Sequence, residues 1–270
     1  MITESTITVC DLNIHILEAG SGGHSIVFIH GNSCSADYWN DQLNNETLEN
    51  HFRLIAIDLP GHGSSDKSAD YSLDFLSEVL VQIIEKLSIG SYILAGLSFG
   101  TVLIGESAAK LKNCRGFFLS SPNITSDLFP PSTYILPNPE FIIMIAGSAT
   151  KNEIKNFAYF LTPDHSSFIV QKFIDSYEKT DPAFRIYLGE ASQKGMWTDE
   201  FENLIETGLP VCYLFGEKDK ALDVHYMDAI SLPPNHSFVH LKEAAHFVNM
   251  DQAENYNNLL LKFCRTALYS

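Results

Sequence analysis

The sequence predicts an α/β fold in which a mostly parallel sheet is flanked by helices and is interrupted by an inserted helical cap. Short, continuous apolar runs at residues 25–30 and 53–58 are typical of parallel strands that are buried on both faces. Segments with apolar residues at helical spacing lie between such runs, and this alternation indicates a layered α/β protein. The alternation stops after Pro122 and resumes near Leu209, which indicates the insertion.

The first half of the chain follows this alternation element by element. Residues 5–10 and 13–18 are predicted to form a hairpin, because two β-like runs are separated by only two residues. Residues 72–87 repeat apolar side chains at helical spacing and end before Gly90, a typical helix stop. The elements that follow are a strand at 92–97, a helix at 101–112 and a strand at 116–120.

The second half contains the inserted segment and then returns to the sheet. Residues 153–161 and 168–177 show helical periodicity, and a structureless loop of about 90 residues would be unusual in a compact domain. Strands are predicted at 209–215 and 237–241, and a closing helix at 250–267. We therefore expect a core formed by residues 1–122 and 209–270 and an aromatic-rich helical cap at 123–208. An ordinary continuation of the helices that flank the sheet is the alternative.

Charge and hydropathy limit the partners of the protein. The 270 residues include 17 Lys and Arg against 33 Asp and Glu, a formal net charge of −16. Nucleic acids and anionic membranes are bound by clustered Lys and Arg, so this acidity argues against both. The longest strongly apolar stretch, residues 141–146, is too short to span a bilayer, and the first residues do not resemble a signal peptide.

The five cysteines are widely scattered and form no C-x-x-C pair. Such spacing predicts neither a disulfide framework nor a cysteine metal site. Reduced, mostly buried thiols are typical of a cytoplasmic protein, which is the predicted location. We expect no metal and no cofactor, and the oligomeric state stays open.

Residues 96–100 read Gly-Leu-Ser-Phe-Gly and match the pattern G-x-S-x-G. The match alone is weakly specific, but it lies between the predicted strand at 92–97 and the helix that follows it. At a sharp turn of this kind the central serine, Ser98, stands above the sheet edge, and the flanking glycines relieve crowding. Ser98 is therefore the candidate nucleophile. The alternative is a glycine-flanked loop whose serine has no catalytic role.

A serine hydroxyl becomes a good nucleophile only when a base removes its proton. His246 follows the last predicted strand and lies at the same sheet edge as Ser98, where catalytic groups of α/β sheets collect. Asp219 follows the strand at 209–215 and would orient His246, with Glu217 and Asp223 as alternatives. The histidines interpreted as incidental are His15, His24, His51, His165, His225, His236 and His240.

An oxyanion that develops during acyl transfer needs two preorganised donors. The backbone N–H of Phe99 is one, because Phe99 lies at the start of the predicted helix that follows Ser98. The turn after the strand at 25–30 reads His-Gly-Asn-Ser and supplies the second donor, Asn32. Its backbone N–H is the expected donor, and its side chain is a further option.

Together these motifs resemble the α/β-hydrolase superfamily. The resemblance rests on the turn at 30–33, the segment 58–65 (Asp-Leu-Pro-Gly-His-Gly-Ser-Ser), and the order Ser98, Asp219, His246 along the chain. It spans nearly the whole sequence, with the cap as its variable part. It implies an α/β-hydrolase fold and a Ser-His-Asp catalytic triad.

The resemblance also implies a substrate class and further residue roles. The opening of the turn and the overall length are most similar to the α/β-hydrolase type of N-acyl-homoserine lactone hydrolase, in which a cap tyrosine contacts the lactone. Tyr159 is the matching candidate, and Phe157 is the alternative in the local alignment. By the same resemblance, the scaffold residues of the family's loops are His30, Asp58 and His62.

The sequence therefore predicts a cofactor-free serine hydrolase that acts on a small to medium, largely uncharged carboxylic ester or lactone. An acyl-homoserine lactone is one such substrate. A C–C bond hydrolase with the same triad is the enzymatic alternative. A hydrolase-like small-molecule receptor is the alternative from a different functional class.

Overall fold

One eight-stranded sheet forms the centre of the computed structural model, which describes residues 1–162 and 166–269. Its strands are β1 (Thr3–Val9), β2 (Leu12–Ala19), β3 (His24–Ile29), β4 (Phe52–Ile57), β5 (Tyr92–Leu97), β6 (Cys114–Ser120), β7 (Val211–Gly216) and β8 (His236–Leu241). Their order across the sheet is β1-β2-β4-β3-β5-β6-β7-β8. Only the β1–β2 and β2–β4 pairs are antiparallel, so the predicted mostly parallel sheet is confirmed.

Helices connect and flank the strands. The α-helices are α1 (Asn40–Leu43), α2 (Glu46–His51), α3 (Leu73–Lys86), α4 (Phe99–Ser107), α5 (Pro131–Tyr134), α6 (Lys151–Leu161), α7 (Ser167–Lys179), α8 (Pro182–Lys194), α9 (Glu200–Glu206), α10 (Val248–Asp251) and α11 (Ala253–Tyr269). Short 3-10 helices lie at Ala36–Trp39, Ala108–Lys110 and Pro139–Met144. The short helices between residues 36 and 51 were not predicted, because four to six residues are too few to display helical periodicity.

Local chemistry explains why the longer helices form where they do. The Ser72 side chain accepts a hydrogen bond from the Phe75 N–H at 3.2 Å and so caps α3, whose apolar face is buried. In α6 the Thr150 side chain and Glu153 form a reciprocal capping box. The positions of α3, α6 and α7 agree with the predicted helices at 72–87, 153–161 and 168–177.

The core lies on both faces of the central strands. All six residues of β5 and all six of β7 are buried, as expected for strands with continuous apolar sequence. β1, at one edge, is mostly exposed and pairs only with β2. The strands β3, β5 and β7, which lead to the candidate site, are therefore almost entirely buried.

The chain between β6 and β7 is the inserted segment. Within residues 123–162 and 166–210 the structure contains helices α5 to α9, a 3-10 helix and isolated β-bridges, but no strand of the sheet. The predicted helical insertion after β6 is confirmed, whereas the cap boundaries at 123 and 208 stay a prediction.

The parallel strands all present their carboxyl ends at one edge of the sheet, and the loops after β3, β5, β7 and β8 meet there. No helix in the described part of the chain is long and apolar enough to cross a membrane. All five cysteines are free thiols. The cytoplasmic location stays a prediction.

Candidate active site

Ser98 occupies a strained turn between β5 and α4. Its φ of 51° and ψ of −116° lie in a region that non-glycine residues rarely adopt, at a typical cost of about 1–3 kcal/mol. Gly96 and Gly100 make the turn sterically accessible: a Cβ at position 96 would lie 2.7 Å from Ile104 Cδ1, and one at position 100 would lie 2.9 Å from the His30 carbonyl oxygen. The sequence motif therefore folds into the predicted sharp turn.

His246 and Asp219 form a buried pair at the same sheet edge. His246 Nδ1 lies 2.8 Å from Asp219 Oδ2, and both residues are less than a tenth exposed. The other carboxylate oxygen, Oδ1, accepts a hydrogen bond from the Ala221 N–H at 2.7 Å. A carboxylate at Nδ1 favours the tautomer with the proton on Nδ1, which leaves Nε2 able to accept a proton.

The alternative acids lie elsewhere. Glu217 is exposed, and the Asp223 carboxylate accepts a hydrogen bond from the His225 N–H at 3.0 Å. Asp219 is thus the acid that the structure brings to His246.

The turn after β3 lies directly against Ser98. A Cβ at position 31 would be 3.3 Å from Ser98 Cβ, so glycine permits this close approach. The Asn32 side chain is already engaged: its Nδ2 donates to the Met144 carbonyl at 2.9 Å, and its Oδ1 accepts from Ser33 Oγ at 2.9 Å. Because the side-chain amide is occupied by these contacts, the Asn32 backbone N–H stays the candidate oxyanion donor.

A single cavity brings these groups together. Ser98, His246, Asn32 and Phe99 all line it, and its remaining lining is predominantly apolar. Among the described residues, none of the lining side chains is Lys, Arg, Asp or Glu. Aromatic and aliphatic side chains from the insertion also line it, including Phe141, Met144, Phe157, Phe173, Leu188 and Trp197.

Of the two cap candidates, Phe157 lines the cavity and Tyr159 does not. The Phe157 ring is fully buried and packs edge-on against Phe141. Tyr159 is partly buried, with the Lys155 ammonium 5.5 Å from the centre of its ring. Phe157, the alternative candidate, is therefore the one of the two that lies at the cavity.

Comparison with known families agrees with this geometry. A family model described as "Alpha/beta hydrolase family" matches residues 26–259, which include the Ser98 turn, Asp219 and His246. This chain belongs to the alpha/beta hydrolase family. The expectation drawn from the motifs is thereby confirmed for the fold and the family.

Individual relatives of this alpha/beta hydrolase are more distant. It is 26% identical over 252 residues to the "Dihydrolipoyllysine-residue acetyltransferase component of acetoin cleaving system" of Pseudomonas putida, covering 91% of this chain and 65% of that protein. It is 22% identical over 274 residues to a "2-hydroxy-6-oxononadienedioate/2-hydroxy-6-oxononatrienedioate hydrolase" of Burkholderia vietnamiensis, covering 94% and 92% of the two chains. The chain thus spans about two thirds of the first of these relatives and most of the second.

A solved structure shows the same fold over the whole length. A mutant of the N-acyl homoserine lactonase AidH complexed with N-hexanoyl homoserine superposes with a TM-score of 0.87 at 20% identity, covering 99% of this chain and 98% of that one. At this identity the likeness concerns the fold.

The scaffold residues of this alpha/beta hydrolase hold its loops through buried hydrogen bonds. His30 Nε2 accepts from the Leu59 N–H at 3.0 Å, and His62 Nε2 accepts from the Ser33 N–H at 3.3 Å. Desolvation lowers the pKa of both imidazoles, so each stays neutral and keeps its acceptor nitrogen. Asp58 accepts from the Ala36 N–H at 2.6 Å.

The histidines interpreted as incidental behave differently from one another. His15 Nδ1 lies 2.9 Å from Asp58 Oδ2, so this histidine supports the scaffold carboxylate and is not incidental. His236 is buried beside Tyr213, and burial lowers its pKa to about 4. His225 and His240 meet near Asp228 at the sheet edge. His165 lies outside the described residues.

A buried arginine in the insertion was not predicted to be near the candidate site. Arg185 is 2% exposed, its guanidinium lies 3.8 Å from the centre of the Tyr177 ring, and Nη1 donates to Ser33 Oγ at 3.2 Å. Burial lowers the pKa of this guanidinium. Ser33 in turn donates to Asn32, so Arg185 links α8 to the turn beside Ser98. No spacing rule relates positions 185 and 33, and only the fold reveals this link.

Proposed function

We propose that this alpha/beta hydrolase is a serine hydrolase that cleaves a small to medium, largely uncharged carboxylic ester or lactone through an acyl-enzyme. One observation carries the proposal: Ser98 on its strained turn and His246, held by Asp219, line the same apolar cavity. A nucleophile, a base and an orienting acid in this arrangement are the parts of a serine hydrolase triad.

The mechanism assigns each group one task. Ser98 Oγ attacks the carbonyl carbon while His246 Nε2 takes the hydroxyl proton, and Asp219 stabilises the resulting imidazolium. The backbone N–H groups of Phe99 and Asn32 hold the oxyanion. The tetrahedral intermediate then expels the alcohol oxygen, which takes the proton from His246. A water molecule then attacks the acyl carbon while His246 takes one of its protons. The second tetrahedral intermediate breaks its bond to Ser98 Oγ, which takes that proton back from His246, and the acid is released.

The cavity lining supports an uncharged substrate. A carboxylate taken from water into this site would meet no Lys or Arg among the described lining residues, and burying an unpaired charge costs several kcal/mol. Apolar side chains from residues 123–208, the proposed cap, would instead bind an acyl chain or an aromatic group. The structural likeness to an N-acyl homoserine lactonase supports including lactones in the class.

C–C bond hydrolysis is the second candidate. It is supported by the relative from Burkholderia vietnamiensis, which is named as a hydrolase of 2-hydroxy-6-oxononadienedioate. That name describes dicarboxylates, whereas the cavity here has no cationic lining among the described residues. The lining therefore favours an uncharged ester over such a dicarboxylate.

A substrate panel tests the proposal. We expect hydrolysis of p-nitrophenyl acetate and butyrate and of acyl lactones of graded chain length, with vinylogous diketones as the comparison for C–C cleavage. Ser98→Ala should abolish turnover, and Ser5→Ala, which changes an exposed serine of β1, should not. Equal rates in wild type and Ser98→Ala would contradict the proposal, and faster cleavage of diketones would favour the second candidate. Negligible turnover together with ligand-induced thermal stabilisation would indicate a receptor.

A further inference from the structure

Three side chains with metal-binding atoms meet at the outer edge of the sheet. His225 and Asp228 lie in the connection between β7 and β8, and His240 lies on β8 itself. One imidazole nitrogen of each histidine and one carboxylate oxygen of Asp228 all lie within 4.8 Å of one another. None of the three side chains lines the cavity that contains Ser98.

We propose that His225, Asp228 and His240 form a binding site for a divalent metal ion of the zinc class. Two imidazoles and one carboxylate are a ligand set that suits Zn²⁺, Co²⁺ and Ni²⁺. Mg²⁺ and Ca²⁺ prefer oxygen ligands throughout, so the two imidazole nitrogens select against them. Three protein ligands leave a fourth position for water.

The distances between the ligand atoms are close to those of a zinc site. Ligands bound to tetrahedral zinc at about 2.0–2.2 Å lie roughly 3.4 Å from one another. His240 Nε2 and Asp228 Oδ1 are 3.3 Å apart, which matches that spacing. His225 Nδ1 is 2.7 Å from Asp228 Oδ2, so a small rotation of its ring opens the space for an ion.

Ring stacking orients the two histidines near Asp228 before any ion binds. The His240 ring stacks on Phe215 at 5.3 Å, and the His225 ring stacks on His240 at 5.2 Å. Next to His225, the Tyr226 hydroxyl donates to the Pro122 carbonyl at 3.2 Å and anchors the connection. Because this packing already orders part of the site, more of the binding free energy appears as affinity.

An ion can reach this site from solvent. The His225 side chain is 66% exposed and that of Asp228 is 46% exposed. The net charge of −16 raises the local concentration of cations around the protein. A bound ion would join the β7–β8 connection to β8, and because it binds only the folded chain it would raise the unfolding temperature.

Isothermal titration calorimetry on the full chain, without a histidine tag and freed of metal by chelation, tests this site with Zn²⁺. We expect one ion per chain and no comparable binding of Ca²⁺ or Mg²⁺. His225→Gln and His240→Gln should each lower the zinc affinity at least about tenfold, since even substitutions behind the ligands of metal sites cost that much. His51→Gln changes an exposed histidine outside the cluster and should bind as wild type does.

Thermal unfolding supplies the second measurement. Zinc should raise the unfolding temperature of wild type and His51→Gln but not of His225→Gln, whose exposed position leaves the metal-free fold and the esterase rate unchanged. Absence of saturable zinc binding would overturn the proposal. So would zinc binding that persists in both cluster variants, or calcium binding of equal strength.

Discussion

Asp219 acts on the reaction only through His246 in the proposed mechanism. The 2.8 Å contact between His246 Nδ1 and Asp219 Oδ2 sets the imidazole tautomer, so the neutral amide of Asp219→Asn would favour the wrong one. We expect kcat to fall by roughly 10⁴-fold with little change in folding stability. Steady-state kinetics on p-nitrophenyl butyrate measures this.

Asp223→Asn is the matched control, because its side chain can still accept from the His225 N–H and does not contact His246. Wild-type kcat in Asp219→Asn, or an equal loss in Asp223→Asn, would contradict the assignment of Asp219.

Ser33 connects the buried Arg185 to Asn32. Ser33→Ala removes the 3.2 Å and 2.9 Å hydrogen bonds of its hydroxyl and leaves the Asn32 side chain held only through Met144. We expect kcat to fall about tenfold with KM nearly unchanged. The variant loses a hydrogen bond that positions the oxyanion donor, which weakens the binding of the transition state by about 1.4 kcal/mol. Ser35→Ala, in the same loop, should leave kcat unchanged. A rise in KM alone would show that Ser33 serves substrate binding instead.

At this scale the sequence could predict the residues proposed for the chemistry, but not how their neighbours hold them. Ser98, Asp219 and His246 stand out because motif and chain order mark them. The contact of the Asn32 side chain with Met144, and the link from Arg185 to Ser33, join residues more than 100 positions apart. The resemblance left Tyr159 and Phe157 both open, and the choice between them depends on which face of α6 points to the cavity.

The strand-to-helix turn between β5 and α4 depends on glycine at position 100. A Cβ there would press against the carbonyl oxygens of Ile29 and His30. We expect Gly100→Ala to destabilise the fold by about 1–3 kcal/mol and to displace Ser98, with loss of activity. Urea denaturation measures the change in the free energy of unfolding.

Gly90→Ala is the control for this turn, because a Cβ at position 90 meets no atom within 4 Å. Equal free energies of unfolding for the two variants would contradict the steric role of Gly100.

Helix α9 begins with a buried acid, Glu200, whose pKa is raised well above its usual value of 4.5, chiefly by desolvation. A raised folded-state pKa stabilises the fold below the unfolded pKa, and this stabilisation is lost as the pH rises through the folded value. We therefore expect the wild-type free energy of unfolding to decline above about pH 4.5 relative to Glu200→Gln. Denaturation at several pH values measures the difference.

Glu202→Gln, on an exposed position of the same helix, should follow wild type at every pH. A constant difference between wild type and Glu200→Gln across the pH range would contradict the raised pKa.

The helices and strands themselves were largely predictable, because buried elements have apolar residues at a characteristic spacing and in runs of characteristic length. The strands at β3, β4, β5 and β7 are continuous apolar runs, and α3, α6 and α7 have clear helical periodicity. The short helices between residues 36 and 51, in the connection from β3 to β4, carry no such signal. The way the insertion packs onto the sheet depends on contacts between elements, which periodicity does not encode.

The whole molecule is acidic outside and apolar in its cavity, and this combination should exclude anionic substrates. We expect kcat/KM for the p-nitrophenyl ester of succinic acid to be at least about 100-fold below that of its methylated, uncharged counterpart, a difference of about 3 kcal/mol. Both esters present the same leaving group, so the comparison isolates the charge. Equal kcat/KM values would indicate a cation near the acyl group and would restore dicarboxylates as substrates.

The covalent intermediate is the central claim, and peptide mapping by mass spectrometry tests it most directly. The protein is quenched in acid during turnover of p-nitrophenyl butyrate, digested, and searched for a butyryl group. We expect the group on the Ser98 oxygen, and we expect it to be absent from Ser98→Ala and from protein quenched before substrate is added. Turnover of the ester with no acyl group on Ser98, or with the group on another residue, would contradict the mechanism.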